Sequence, residues 1–442
     1  MGVVFAEFPL PVRTVLRSPQ LLAGGFSLSE GCPRRRLGIL ADASPSRSFP
    51  SPGGARGTSE KNLRLIPLRK NVIVGIDAHT LGSGSSGNET YYEQLLRHLA
   101  KAPQNGCRYI VYYTHPAGSR RVPASEAFHL KRLKPATPFW RIPFGFPLEL
   151  RRQNLDVFHA QYIIPPFCKC KTVTTIADIA YEHFPESFSR FGNLWSRVLI
   201  RRSAERADHI ITVSEYSKND LAKTYHIDPR KITVTYEGAG DDYFPRDKGY
   251  CRAQIAAKYG VIAPFLLYIG RLQERKNLRR VVSAYARLRK QGLDEKLVLV
   301  GMKDWMFGDI RAQVQALGLA TSVIFTGYVA SEDLPVFYNA AEAFVYPSIF
   351  EGFGLPVIEA MACGLPVLTS FGSSLEEIAG DAAVLVDPLS EEAIAAGLGK
   401  LVGDSSLRAR LAQAGLMRSA MFSFKKTAEQ TIRVYEMLAG AT

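Results

Sequence analysis

Between Tyr346 and Ser370 the sequence reads YPSIFEGFGLPVIEAMACGLPVLTS. An apolar strand pattern, Ala343 to Tyr346, runs into a glycine-bearing turn, Glu351-Gly352-Phe353-Gly354-Leu355. A short helical stretch follows, Pro356 to Cys363, and Gly364 stops it. Proline suits the first helical position because its missing N–H would have no partner there. Glycine ends a helix by taking the left-handed conformation without steric cost. Leu365 to Thr369 returns to an apolar strand. Strand, glycine turn, helix, strand is the unit that builds a parallel sheet. A glycine turn entering a helix presents unpaired N–H groups and the positive end of the helix dipole, and both favour phosphate. Glu351 lies on the turn and Glu359 in the first turn of the helix, where side chains lean back toward the N-terminus. Carboxylates accept hydrogen bonds from paired hydroxyls, so the stretch suits a nucleotide-sugar. Taken alone, the two glutamates read more simply as a helix-start acid favoured by the dipole and a solvated loop residue.

The rest of the chain repeats this alternation. Apolar strand patterns fall at Lys70 to Asp77, Tyr109 to Tyr113, Asp156 to Gln161, Thr172 to Ile176, His209 to Val213 and Ile232 to Tyr236. Helical spacing separates them, as in Glu89 to Ala102 and Asn193 to Ala207. A charged, turn-rich stretch, Gly238 to Gly249, reads as a linker. A second run then begins, with strands at Phe265 to Ile269, Leu297 to Gly301, Val323 to Tyr328 and Ala383 to Asp387, and a last helix at Phe424 to Leu438. Gly118 to Arg152 shows no periodicity and reads as irregular, basic and aromatic. Alternating strands and helices predict an α/β protein with parallel sheets, and 442 residues allow two or three domains.

Glu351-x7-Glu359 enclosing Gly-Phe-Gly-Leu-Pro resembles the donor motif of glycosyltransferase family 4, whose members are retaining enzymes of the GT-B fold. The resemblance implies two Rossmann-like domains, 70–245 on the acceptor side and 246–425 on the donor side, facing across a cleft. A closing helix, 426–442, would cross back to the first domain. It implies transfer of a mannose- or glucose-type sugar from a nucleotide-sugar to an acceptor hydroxyl, in polysaccharide or glycolipid synthesis. Glu359 would hold the ribose; Glu351 and the amides of Phe353, Gly354 and Leu355 would hold the sugar and phosphates. Arg271 and Lys276, five apart after the strand ending at Gly270, match the pair that grips the diphosphate, and a solvated basic loop is the plainer reading of Arg275 and Arg279. Tyr328 resembles the end of the segment lining the base. The loop containing Gly87 resembles the one that approaches the donor phosphate and the acceptor, and it lacks the G-x-G-x-x-G order of a dinucleotide site. His159 ends a strand, where open sheets place ligand contacts. Asp178 matches the family's strand-end His-Asp, but Ala177 stands where the histidine is usual; His159 or His183 could take its place. The two glutamates share one loop and helix, so they are no glycosidase pair flanking a bond.

The resemblance implies no cofactor beyond the nucleotide-sugar substrate, and no metal, since Arg271 and Lys276 supply the positive charge. A saccharide or lipid-linked acceptor is expected, and no nucleic acid. Net charge is +14, and residues 1 to 70 hold eleven Lys or Arg against four acids, half of it. The remainder favours acidic substrates or a peripheral contact with an anionic membrane. No apolar run suggests a spanning helix, and six cysteines in this length suit reduced cytosolic thiols. The expected location is cytoplasmic, peripheral at the inner membrane surface. Residues 1–69, rich in Ser, Pro, Gly and Arg, read as a non-core head. A nucleotide-sugar epimerase, a phosphorylase, or a binding protein with impaired catalysis stays open on the same scaffold.

Overall fold

The computed structural model describes residues 72–84, 86–102, 106–187, 190–301 and 307–440, with the backbone alone at 86, 187, 190–193 and 307. The expected head, 1–69, lies outside the described residues. The strands are β1 Val72–Asp77, β2 Cys107–Tyr113, β3 Phe128–Arg132, β4 Val157–Gln161, β5 Lys171–Thr175, β6 His209–Thr212 and β7 Ile232–Val234 in a first sheet. A second sheet holds β8 Phe265–Ile269, β9 Lys296–Val300, β10 Val323–Gly327, β11 Ala343–Tyr346, β12 Val367–Ser370 and β13 Ala383–Val386. Every pairing is parallel. Central strands such as Phe265–Ile269 are buried along their whole length, as a sheet covered on both faces requires.

The strand orders are β3-β2-β1-β4-β5-β6-β7 and β10-β9-β8-β11-β12-β13. Each reverses direction once, between β1 and β4 and between β8 and β11. Helices leave opposite faces at such a point, so a crevice opens beyond the carboxyl ends of the two strands. The glycine turn of the opening stretch follows β11, and the loop with Arg271 and Lys276 follows β8, so both donor motifs border the second crevice.

The chain's last helix, Phe424–Gly440, leaves the second sheet and packs on the first. Tyr435 is fully buried there, its hydroxyl 2.6 Å from His159 Nδ1, and the Phe424 ring stacks 6.3 Å from His98. Two Rossmann-like sheets closed by this helix form the GT-B architecture. Among the described residues no helix is long and apolar enough to cross a membrane.

Three expectations are corrected. Gly118 to Arg152 is ordered: a short helix Gly118–Arg121, strand β3, a helical turn Pro138–Trp140, a π-helical turn Arg141–Gly145 and a helix Phe146–Arg152. Strand β3 escapes the pattern because it is an edge strand, mostly open to solvent, and carries no apolar run. The linker ends early, since Asp247 caps a helix starting at Lys248 by accepting from the Tyr250 N–H at 2.6 Å. The helix of the opening stretch is Leu355–Ala362, with Pro356 in its first turn.

Candidate active site

The turn after β11 is shaped by two glycines. Gly354 caps the helix Leu355–Ala362 at φ +105°, a conformation L-residues avoid, and a Cβ there would strike the Leu375 side chain. Gly352 lies against the other sheet: a Cβ on it would sit 2.6 Å from the Ala177 carbonyl oxygen. Ser214 Oγ, beyond β6, donates to the Gly352 carbonyl at 2.6 Å, and Ser217 Oγ does so at 3.1 Å. The Glu377 carboxylate accepts the backbone N–H groups of Glu215 and Tyr216, each at 2.9 Å. The carboxyl ends of β5 and β6 therefore face the turn after β11.

The loop after β8 meets the same turn from its own sheet. It makes a 3-10 turn, Glu274–Lys276, and then Asn277 takes φ +64°. Asn277 Nδ2 donates to the Pro347 carbonyl at 2.9 Å, which ties the two loops together. This geometry turns both Arg275 and Lys276 inward. Arg275, 2% exposed, donates through Nη1 to the Phe350 carbonyl at 2.9 Å and to Glu351 Oε2 at 3.3 Å. Lys276 Nζ donates to Glu351 Oε1 and, at 2.6 Å, to the Tyr346 hydroxyl. That hydroxyl donates in turn to Glu351 Oε1 at 2.9 Å. Reading Arg275 as solvated is thus corrected: it is a buried counter-ion.

One carboxylate here faces two cations. Burial pushes the Glu351 carboxyl up, but Lys276 and then Arg275 outweigh it and hold it at about 2. Burial, with the repulsion of Arg275, pulls Lys276 down to about 8. Glu359 differs. Burial lifts it to about 7 despite hydrogen bonds from Tyr338, at 2.9 Å, and from Tyr243. Glu237 lies 3% exposed beyond β7, and burial together with the charges of Glu359 and Asp178 lifts it to about 8. Of these three glutamates, Glu351 is firmly ionised, while Glu359 and Glu237 are held near neutrality.

Asp178 is buried in this group. Its Oδ1 accepts the Ala180 N–H at 3.1 Å, while Oδ2 has no hydrogen-bond partner. Arg271 is half-buried, and its guanidinium makes no hydrogen bond or ion pair among the described residues. The Phe353 side chain is core, 5.9 Å from the Phe422 ring, so only its backbone is offered. Gly270 follows β8 and Leu355 opens the helix, both at the crevice. Gly87 lies in the first turn of the helix Ser86–Lys101, beside the first sheet's crevice. Tyr328 follows the edge strand β10, two strands from the crevice, and its ring is 70% exposed.

His159 is not brought to the site. Its Nδ1 meets Tyr435, its Nε2 lies 2.6 Å from Thr175 Oγ1, and burial holds it neutral at about 3. It is a structural histidine beneath the closing helix. His183 Nε2 is taken by both carboxylate oxygens of Asp220, at 2.9 Å each. Neither imidazole fills the place of Ala177.

Sequence reasoning missed Arg275, Tyr346, Ser214, Glu237 and Glu377. Ser214 shows in the sequence as a helix cap, and nothing local says that its hydroxyl also reaches Gly352.

Two families match the two halves of the chain: residues 85–242 match one described as Glycosyltransferase Family 4, and residues 260–417 one described as Glycosyl transferases group 1. The O-antigen chain mannosyltransferase B of Escherichia coli is 34% identical over 292 residues, 65% of this chain and 76% of that protein. The chain belongs to glycosyltransferase family 4. The O-antigen chain mannosyltransferase RfbU of Salmonella typhimurium is 30% identical over 51% of this chain and 59% of its own length. The structure of a sucrose-phosphate synthase from Thermosynechococcus elongatus superposes with a TM-score of 0.69, covering 84% of this chain and all of that one. At 23% identity that likeness shows the fold, and it is the fold of this family 4 glycosyltransferase.

Proposed function

We propose that this glycosyltransferase moves a mannose- or glucose-type sugar, with retention, from a nucleoside-diphosphate sugar to an acceptor hydroxyl in the assembly of a polysaccharide or glycolipid. The observation that carries the reading is the ionised Glu351 held between Lys276 and Arg275 at the second crevice, next to Gly352, whose backbone lies against the Ala177 carbonyl beyond β5. A donor diphosphate is a better partner for Lys276 than Glu351 is, and Arg271 adds a planar fork of donors. As the sugar–phosphate bond breaks, the charge gathering on the leaving diphosphate meets these two cations. Glu351, released from Lys276 but still held by Arg275, accepts hydroxyls of the sugar. Glu359 accepts the ribose hydroxyls, with Tyr338 fixing its orientation. The amides at the start of the helix Leu355–Ala362 add phosphate donors. Mannose is favoured because both relatives above are named as mannosyltransferases.

Incubation with a panel of nucleotide-sugars and a glycan extract, read by NMR of the anomeric centre, tests this. The expected result is transfer that keeps the donor's anomeric configuration. Inversion contradicts retention, a changed donor without acceptor marks an epimerase, and binding without transfer marks a protein with impaired catalysis.

A membrane-held acceptor is favoured by one surface. Trp140, Phe144, Leu148 and Leu194 are each more than half exposed. The Phe139 and Trp195 rings, 6.3 Å apart, join the two segments that carry them. Lys134, Arg151, Arg152 and Arg202 are exposed on the same segments. Aromatic rings beside cations suit the interface of an anionic bilayer. Flotation with anionic but not zwitterionic vesicles is expected, lost in Trp140→Ala/Phe144→Ala; equal behaviour with both vesicle types contradicts it.

A further inference from the structure

The turn that carries Glu351 is held by its carbonyl groups. The Phe350 carbonyl accepts from Arg275 Nη1 at 2.9 Å. Ser374 Oγ, in the helix Ser374–Ala379 of the second domain, lies 2.8 Å from the Glu351 carbonyl oxygen and 3.1 Å from that of Phe353, and its single proton is shared between them. The carbonyl in the middle, that of Gly352, is taken by the first domain. Ser214 caps the helix Glu215–Tyr225, and Ser217 lies in its first turn; their hydroxyls donate to Gly352 at 2.6 and 3.1 Å. A carbonyl oxygen has two lone pairs, and the two serines fill both.

These peptides are trans, so each N–H points opposite to the C=O of its own peptide. The N–H groups of Gly352, Phe353 and Gly354 are thereby turned away from the serines. None of the three makes a hydrogen bond among the described residues, although all three residues are buried. Buried N–H groups without partners are costly and uncommon, and successive ones attract an anion.

The two helices that hold the turn are tied to each other. Glu377, one turn after Ser374, accepts the N–H groups of Glu215 and Tyr216, each at 2.9 Å. The Tyr216 ring lies 5.8 Å from the Phe350 ring, at the start of the turn. The first domain thus fixes the rotation of the Gly352–Phe353 peptide, although that peptide belongs to the second.

We propose that Ser214 and Ser217 are positioning residues for the donor: by holding the Gly352 carbonyl they aim the Phe353 N–H at the diphosphate. The assignment deepens the nucleotide-sugar reading and rests on it. It makes donor affinity a property of both domains, whereas Lys276, Arg271 and the amides that would touch the diphosphate all lie in the second.

Calorimetry of the full-length protein with GDP, UDP, ADP and dTDP tests this. Ser217→Ala removes one donor to Gly352 and leaves the Ser214 cap in place. It should weaken the preferred nucleoside diphosphate about fivefold, and Ser214→Ala/Ser217→Ala should weaken it further. Tyr225→Phe, on the same helix, loses a buried hydroxyl contact with Tyr181 at 2.8 Å and touches nothing in the turn, so its affinity should match the wild type. Hydrogen exchange at saturating nucleotide reads the turn itself: the amides of 352–354 should be protected in the wild type and less so in Ser217→Ala. If the double variant does not fold, Ser217→Ala decides. Wild-type affinity in Ser217→Ala, an equal loss in Tyr225→Phe, or equal protection of the turn overturns the assignment and leaves the nucleotide-sugar reading standing. A wild type that binds none of the four nucleotides removes that reading and the assignment with it.

Discussion

At the scale of single residues, the site depends on a charge balance that no one member can leave. Glu351→Gln leaves Arg275 and Lys276 buried without a counter-charge, and breaking a buried pair this way costs about 3–5 kcal/mol. Denaturant unfolding of the variant should show a loss of that order. Lys276→Ala should cost less stability, because Arg275 still faces Glu351. Its turnover should fall about a hundredfold, roughly 3 kcal/mol of barrier, measured as kcat at saturating donor. Near-native turnover in Lys276→Ala removes it from the chemistry. The proton on Glu359 gives a second prediction. Its folded pKa is raised to about 7, so the folded state holds a proton that the unfolded chain releases nearer 4.5, and the stability this brings is lost as pH rises through about 7. In the proposed function nucleotide affinity should run the other way, because only an ionised carboxylate would accept from both ribose hydroxyls. Calorimetry with a nucleoside diphosphate between about pH 6 and 8 should show a steeper rise in the wild type than in Glu359→Gln; parallel curves contradict the role. Glu351, Glu359, Arg271 and Lys276 stand out in the sequence as candidates because their spacing carries the resemblance. Arg275 was not, because adjacency in a basic loop does not say which side chain turns inward; the 3-10 turn and the left-handed Asn277 decide that.

At the scale of elements, strands buried on both faces show as apolar runs and were legible. Strand β3, at a sheet edge, was not. The closing helix was visible from its spacing and its return to the first sheet from the resemblance, but the residue it meets there was not. Tyr435 reaches back across 276 residues to His159, and long-range pairing leaves no local mark. Tyr435→Phe leaves Nδ1 buried without a partner, at about 1–3 kcal/mol. A lower melting temperature is expected, and an unchanged one shows that the helix is held by apolar packing alone. The same contact explains why His159, which the sequence places near a strand end and the structure in the middle of β4, is occupied by structure.

At the scale of the molecule, alternating patterns showed two parallel α/β sheets, and each sheet's single reversal places its crevice. How the sheets meet was not legible: Ser214, Ser217 and Glu377 make their contacts through hydroxyls and backbone groups that carry no pattern. Those contacts bring Gly352 against Ala177 and make one site from two domains. That site is read as a nucleotide-sugar site, and thermal melting tests it most directly. The wild type, Lys276→Ala and Glu359→Gln are melted with GDP-, UDP-, ADP- and dTDP-sugars over a concentration series. A bound ligand raises the wild-type melting temperature in proportion to the logarithm of its concentration above Kd, and the rise should be much reduced in both variants. No rise with any donor, or the same rise in all three proteins, contradicts a nucleotide-sugar site built on Glu351, Lys276 and Glu359.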